Sequence, residues 1–384
     1  MYNTELHKLE VEIKQHTPMI HFQQHCEENA TLRMTELKPK LDRFIHQKFF
    51  KKKDIKDYGK YLIGYNNSTE YKYGDVRPFN YRVKVQNIEK IRNKQLKIGE
   101  SFPLFFANMG KNNEDKYGFV FSNNLKLVFI SFYEDIIDNI IEVLPEFFMK
   151  NNFGTRQSKG FGSFFINSNN DYKLNGARGK FKDVDKVKKL KYHFSIPNEN
   201  TKNQDIWDKY KEVFGNIDKF YSYLRSGLRR NIIDPLIKEY SISKKIRWDK
   251  DEIKNKLFSE KSWNDDLEPK LMKDLFGLST SEIWEGQLIE KKDKGKEIER
   301  FQSPIFFKIL DEEDKFVVHF EAKEIPKRYL DQEFIISKKG EEGFKLKTPE
   351  EFDFDDFFHF AFNREEYPGE VKAIFEDIKR NMEG

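Results

Sequence analysis

Three glycines, two cations and two serines share one short stretch of this 384-residue chain. Between Asn151 and Asn167 it reads NNFGTRQSKGFGSFFIN, with Gly154, Gly160 and Gly162 around Arg156, Ser158 and Lys159. Glycine lets backbone N–H groups approach a ligand with no Cβ in the way, and it accepts positive φ. Arg and Lys beside such amides make an anion-binding loop. The apolar run Phe164-Phe165-Ile166 that follows reads as a buried strand, which would pin the loop to a sheet. A hairpin that only reverses the chain is the plainer reading of the same residues.

Other residue groups offer weaker chemistry. Five of the eight histidines precede residue 47. His16, His21 or His46 could act as the base for attack by a ribose 2′-hydroxyl, a step that needs no metal. Ordinary strand-end histidines account for the same positions. His21, His25 and Cys26 could be drawn as metal ligands, but Pro18 and a polar context argue for a loop, and no HExxH or CxxC is present. The acidic runs at Asp251-Glu252, Asp311 to Asp314 and Glu350 to Asp356 read as solvated faces and turns. No Walker loop, dinucleotide fingerprint or nucleophile elbow occurs. No metal and no cofactor are expected. The basic residues are more coherent: Lys38, Lys40 and Arg43 on one predicted helix, Arg156 and Lys159 in the loop, and Arg225, Arg229 and Arg230 ending a second helix. With glycine amides and aromatics they make an RNA-binding inventory.

Those residues need elements to hold them. Leu9, Val11 and Ile13 alternate with charged residues, predicting a strand from Leu9 to Ile20 broken at Thr17-Pro18. A helix is predicted from Thr35 as N-cap, with Pro39 in or near its first turn and Leu37, Leu41, Phe44 and Ile45 on one face. Tyr81 to Val85 and Leu125 to Phe132 read as strands, with a turn at 111–116 between them. A helix carrying Ile137, Ile140, Ile141, Leu144, Phe147 and Phe148 leads to the glycine loop, and Tyr192 to Ile196 is a further strand. This order fits a split β-α-β, ferredoxin-like sheet with helices on one side. From Trp207 an aromatic stripe through Tyr210, Phe214, Ile217, Tyr221, Leu224 and Leu228 predicts a long helix whose stripe faces a core. Residues 228–284 read as mainly helical. Strands return at 287–289, 303–310, 316–320 and 344–346, and a last helix spans Val371 to Ile378.

Composition bounds the class. With 38 Phe and 17 Tyr the chain can build real cores. A net charge of +4 does not by itself demand nucleic acid, so local clustering has to carry that reading. A single cysteine, Cys26, excludes an internal disulfide framework and fits a reducing compartment. The N-terminus lacks a secretion-signal layout, and no apolar run approaches the ~20 residues of a membrane helix. The expectation is a soluble, cytoplasmic protein without a membrane partner.

Three stretches together resemble the RAMP superfamily of CRISPR-associated proteins. They are His16-Thr17-Pro18-Met19-Ile20 after the first strand, Leu32 to Phe44 at the first helix, and Gly154-Thr155-Arg156-Gln157-Ser158-Lys159-Gly160-Phe161-Gly162-Ser163 after the second helix. Within the superfamily they are most similar to the family of the first subunit of the Cmr (type III-B) effector complex. Arg300-Phe301-Gln302-Ser303-Pro304 is similar to that family's C-terminal strand. Two departures stand out: Pro39 where glycine is usual, and His21-Phe22-Gln23 in place of Gly-Gly. The resemblance implies an α+β protein of two ferredoxin-like (RRM-like) domains with helical insertions, at 1–200 and 201–384. It implies RNA binding within a type III CRISPR ribonucleoprotein in antiviral defence, with CRISPR RNA or target RNA and other effector subunits as partners. The alternative it implies is a metal-independent endoribonuclease that processes repeat RNA.

Overall fold

The computed structural model describes residues 5–21, 31–66, 77–89, 91–95, 118–188, 190–198, 206–228, 233–259, 267–295, 298 and 300–383. The chain is α+β. In order it forms β1 (His7–Gln15), β2 (Met19–His21), α1 (Met34–Ile45), α2 (Ile55–Tyr58), β3 (Arg82–Asn87), β4 (Arg92–Gln95), β5 (Gly118–Phe121), β6 (Asn124–Ser131), α3 (Glu134–Lys150), β7 (Phe164–Ile166), β8 (Asp171–Leu174), β9 (Ala177–Lys180) and α4 (Val184–Val187). There follow β10 (Tyr192–Pro197), α5 (Ile206–Arg225), α6 (Leu236–Ser243), β11 (Ile246–Trp248), α7 (Asp249–Phe258), β12 (Glu268–Lys270), β13 (Leu278–Ser279), β14 (Ser281–Trp284), β15 (Gln287–Asp293) and β16 (Arg300–Phe301). The chain ends with β17 (Ile305–Asp311), β18 (Lys315–Ala322), β19 (Glu333–Lys338), β20 (Phe344–Lys347), α8 (Phe354–Phe362) and α9 (Lys372–Glu383). It divides into two compact units: 1–191 with 197–201 and 307–319, and 192–196 with 202–306 and 320–384. Among the described residues no helix is long and apolar enough to cross a membrane.

The first unit is built on a sheet in the order β3-β6-β1-β8-β9, with β7 also paired to β1. β1 is the central strand, and its period-two pattern decides the two faces. Leu9, Val11 and Ile13 are at most 1% exposed and lie opposite Phe129, Leu127 and Leu125 of β6. α1 and α3 cover this apolar face with Leu37, Leu41 and Ile45 and with Ile137, Ile140, Leu144 and Phe147, all fully buried. Phe44 and Phe147 join the helices edge to face at 5.7 Å. Two local expectations change. The N-cap of α1 is Arg33, not Thr35, and it makes no side-chain cap bond. Pro39 lies in the second turn, so the N–H it lacks is the one that would have bonded the Thr35 carbonyl.

In the second unit the aromatic stripe of α5 is a core face, as its spacing predicts. Tyr210, Phe214, Ile217, Tyr221 and Leu224 are all buried, and Phe220, beside the stripe, meets Phe194, Phe320 and Phe375 at 5.2–5.3 Å. The stretch 228–284 is not mainly helical, since β11 to β14 interleave with α6 and α7. β11, β12 and β14 join the sheet β11-β12-β20-β19-β15-β14, whereas β13 pairs with β16. β19 and α8 fall where no element was expected.

β15 carries a buried charge cluster. Lys291, fully buried, sits 2.6 and 2.8 Å from the two carboxylate oxygens of Asp274 and 3.5 Å from Glu282. Lys273 meets Glu282 at 2.7 Å, and the Trp284 indole donates to the same carboxylate at 2.8 Å. Asp249, also fully buried, accepts from the Lys273 amide at 3.1 Å. Burial, and then the neighbouring Asp274 charge, push Asp249 up to about 6 from an ordinary 3.8. Between those two values the folded state holds a proton that the unfolded state has lost. That stabilisation is complete below pH 3.8 and is lost as pH rises through 6. In urea titrations the Asp249→Asn variant should therefore gain on the wild type by about 2 kcal/mol between pH 4 and pH 7. An identical pH response in both proteins would refute the assignment.

Candidate nucleic-acid interface

The glycine loop leaves α3 and returns to the sheet through β7. Phe153 N–H donates to Gly162 O at 2.9 Å, and an antiparallel bridge pairs Asn152 with Ser163. Gly154, Gly160 and Gly162 all hold positive φ, and so does Arg156 at 58°. The left-handed region costs a residue with a Cβ on the order of 1–2 kcal/mol, so Arg156 is held there by its surroundings. Those surroundings are hydrogen bonds. Thr155 N–H donates to Ile20 O, Gly162 N–H to Pro18 O, and Phe307 N–H to Ser158 O, at 2.9, 2.9 and 3.0 Å. The Thr17 hydroxyl donates to Gly160 O at 2.7 Å and accepts from Ser163 N–H at 2.9 Å. The "TP" strand end and the loop are thus one hydrogen-bonded unit.

This bracing changes the anion-binding expectation. The Gly154 amide is taken by the Glu36 carboxylate at 3.0 and 3.1 Å, and the Gly160 amide by Gln157 O at 3.2 Å. The glycine amides serve the fold. The basic helix is similarly committed. Lys40 bonds Glu36 at 3.0 Å, Asn152 O at 2.8 Å and Gln157 at 2.7 Å, and its ammonium lies 4.7 Å from the Phe153 ring. Lys38 bonds Asp42 at 2.8 Å and Phe79 O at 2.9 Å, with the Tyr81 ring at 3.8 Å. Burial lowers both lysines, and the partner carboxylates offset this only in part. Lys159 is 4% exposed. Of the cations expected here, Arg43 is exposed with no ion-pair partner among the described residues, and Arg156 is half-buried, as is the neutral Ser158.

Arg225 donates to Lys273 O and Gly277 O inside the second unit. Arg229 and Arg230, with His25, Cys26 and residues 111–116, fall outside the described residues, and so does the His21 side chain. His16 is buried, and its Nδ1 accepts from Asp311 N–H at 2.8 Å. Burial, then the Lys14, Lys308 and Lys188 charges, hold it well below the usual imidazole range. Its basic lone pair is in use, whereas a general base must offer one to substrate. His46 meets the Tyr58 hydroxyl at 3.2 Å, away from the loop in sequence and partners. No group of three or more possible metal ligands occurs among the described residues.

Family models match nearly the whole chain: the Cmr1 N-terminal domain over residues 6–228 and the Cmr1 C-terminal domain over residues 233–383. The chain belongs to the Cmr1 family. Among solved structures, it is similar to Cmr1 from Pyrococcus furiosus (apo form) at 14% identity. That match covers 83% of this chain and 90% of the other, with a TM-score of 0.40. It is also similar to a chain of the type III-B Cmr-beta complex bound to cognate target RNA, at 12% identity and a TM-score of 0.26. There it covers 44% of itself and spans 61% of the other chain. Among curated proteins none matches.

In this Cmr1-family chain, sequence reading missed the residues that complete the loop. Lys308 of β17 is fully buried and donates to Phe164 O at 2.7 Å, Asn151 O at 3.1 Å and Asn152 Oδ1 at 3.2 Å. Burial, then the Lys40 charge, push it well below the ordinary lysine range. Asn152 in turn donates to Gln157 O and Phe307 O, both at 2.8 Å. Only the contrast of a charged Lys inside the apolar run IFFKIL marked this position.

Proposed function

We propose that this Cmr1-family chain is an RNA-binding subunit of a type III-B CRISPR effector ribonucleoprotein. It contacts guide or target RNA at the rim of the braced glycine loop, beside other effector subunits, in the cytoplasm and in antiviral defence. The fold proposed for it is two ferredoxin-like domains. The order β1-α1-β3-β6-α3-β8, with strands arranged β3-β6-β1-β8, supports that for the first unit. One observation carries the site: a half-exposed arginine, Arg156, kept in the left-handed region by a loop bonded on three sides. Strain that the surroundings over-determine is a mark of a working position. In this reading Arg156 and Arg43 neutralise phosphate, and the glycine amides and Lys40 keep the loop's shape.

Each neutralised phosphate steepens the loss of affinity with salt by about 0.7 in log–log slope for single strands. Arg156→Gln with Arg43→Gln should weaken retention of labelled single-stranded RNA on a filter by roughly fivefold or more and flatten the slope by about 1.4. Unchanged retention and slope would remove the loop rim from the interface.

A further inference from the structure

β1's two-residue period leaves the sheet of the first unit with a second face, opposite α1 and α3. Strand register fixes which residues share it. Lys84, Val128, Glu10, Lys173 and Arg178 form one row across five strands, and Arg82 of β3 and Lys180 of β9 lie on the same side. Arg82, Lys84, Lys173, Arg178 and Lys180 are all exposed, and none has an ion-pair partner among the described residues. Glu10 is already paired with Lys8 and with Lys126, the latter at 3.6 Å, so its charge is met within the sheet. This differs from α1, whose Lys38 and Lys40 are consumed by carboxylates and carbonyls. Cations that the fold does not use are available to a ligand.

Their placement has a shape. Neighbouring strands lie ~4.8 Å apart and residues two apart on a strand ~7 Å. The cations therefore form two tracks, on β3 and on the β8-β9 hairpin, about 14–19 Å from each other. No open-face position of β3, β6, β1, β8 or β9 carries an aromatic side chain. The face can meet phosphates but cannot stack bases, the combination that grips a backbone without reading its sequence.

We infer that this open sheet face is a second, sequence-independent RNA-backbone site, separate from the glycine loop. The inference rests on the reading of the chain as an RNA binder. It is tested on the full chain by fluorescence anisotropy with labelled oligouridine, oligoadenine and a mixed-sequence RNA duplex, over a salt series. The variant is Arg82→Gln, Lys84→Gln, Lys173→Gln and Arg178→Gln together, with Arg156→Gln as the loop control. The expected result is a loss of about tenfold or more at 0.1 M salt for either the single strands or the duplex. The salt slope should flatten by about 2–3, equally for oligouridine and oligoadenine. A variant that keeps the charges, Arg82→Lys with Arg178→Lys, should keep the affinity, which separates lost charge from lost fold. If the loop control weakens binding and the fourfold variant does not, the face is not a site and the RNA reading stands. If the wild-type chain binds none of the RNAs, both fall. A loss confined to one base, or displacement by polyglutamate at equal charge concentration, would also overturn the inference.

Discussion

Replacing Lys291 with methionine should destabilise the second unit by about 3–5 kcal/mol, the cost of breaking a buried charge cluster by removing one partner. The change keeps the side chain's length and apolar stem, so packing is nearly conserved. What it removes is the one ammonium shared by Asp274 and Glu282, and Asp274 is only 2% exposed. Burial opposes charge on Lys291, but the Asp274, Glu282 and Asp249 carboxylates outweigh it and hold the ammonium charged far up the pH scale. Burial likewise works against an ionised Glu282, and Lys291 with Lys273 keeps it ionised nonetheless. Without Lys291 these carboxylates must be buried as repelling charges or take up protons. The urea midpoint at pH 7 measures the loss, and it should shrink at pH 4. Replacing Lys291, Asp274 and Glu282 together by apolar residues should cost less than K291M alone, because no charge is then left unmatched. A K291M protein as stable as the wild type would show that the cluster is not held by its lysine.

The second large effect is expected at Gly162. It holds φ at +64°, and a Cβ there would lie 1.9 Å from the Phe153 carbonyl oxygen and 2.8 Å from its carbon. The obstacle is backbone, so no side chain can swing away. Gly162→Ala should destabilise the first unit by about 3 kcal/mol or more, from left-handed strain and a forced shift of the 153–162 pairing. For a unit of this size that is a fall in Tm of roughly 6–12 °C. Gly160→Ala makes a graded comparison. Its Cβ would meet the end of the Ile309 side chain at 2.5 Å, which can turn, so the loss should be smaller. Equal melting of G162A and the wild type would mean that the loop relaxes freely, against the bracing described above.

How much was legible in the sequence depended on how local the cause was. The strand at Asn124–Ser131, α3 and α5 follow from periodicity alone, and each is where its pattern puts it. The glycine loop was legible as a conformation but not as a chemistry. Its amides are filled by Glu36, Ile20 O and Pro18 O, acceptors more than a hundred residues away that no pattern announces. Lys38 and Lys40 looked like a basic surface because helical spacing shows which residues share a face and not what lies opposite. The stretch 228–284 reads as mainly helical in sequence but contains four short strands. One of its strands, β14, is turned back into β15 by Glu285-Gly286, both at positive φ, which join Trp284 and Gln287 as a two-residue hairpin. The same reversal written Asn-Gly would have been plain. β11 and β12 enter the sheet by parallel pairing that no local turn announces. The alternation Arg82, Lys84 was visible in RVKV, but its agreement with Lys173 and Arg178 needed the strand register.

The segment 307–319 belongs to the first unit although it follows the second family domain's start at 233. It supplies Lys308, the Ile309 side chain beside Gly160, and the Ile309 carbonyl that accepts from Ser163 Oγ at 2.7 Å. A ribosome builds the chain from its N-terminus, so the glycine loop is synthesised about 150 residues before the strand that closes over it. During that interval Ser163 and Asn152 lack their final acceptors, and no segment cut at residue 228 contains a finished loop. The order of synthesis therefore makes the glycine loop among the last parts of its own unit to mature, and ties its completion to the emergence of the chain's second half.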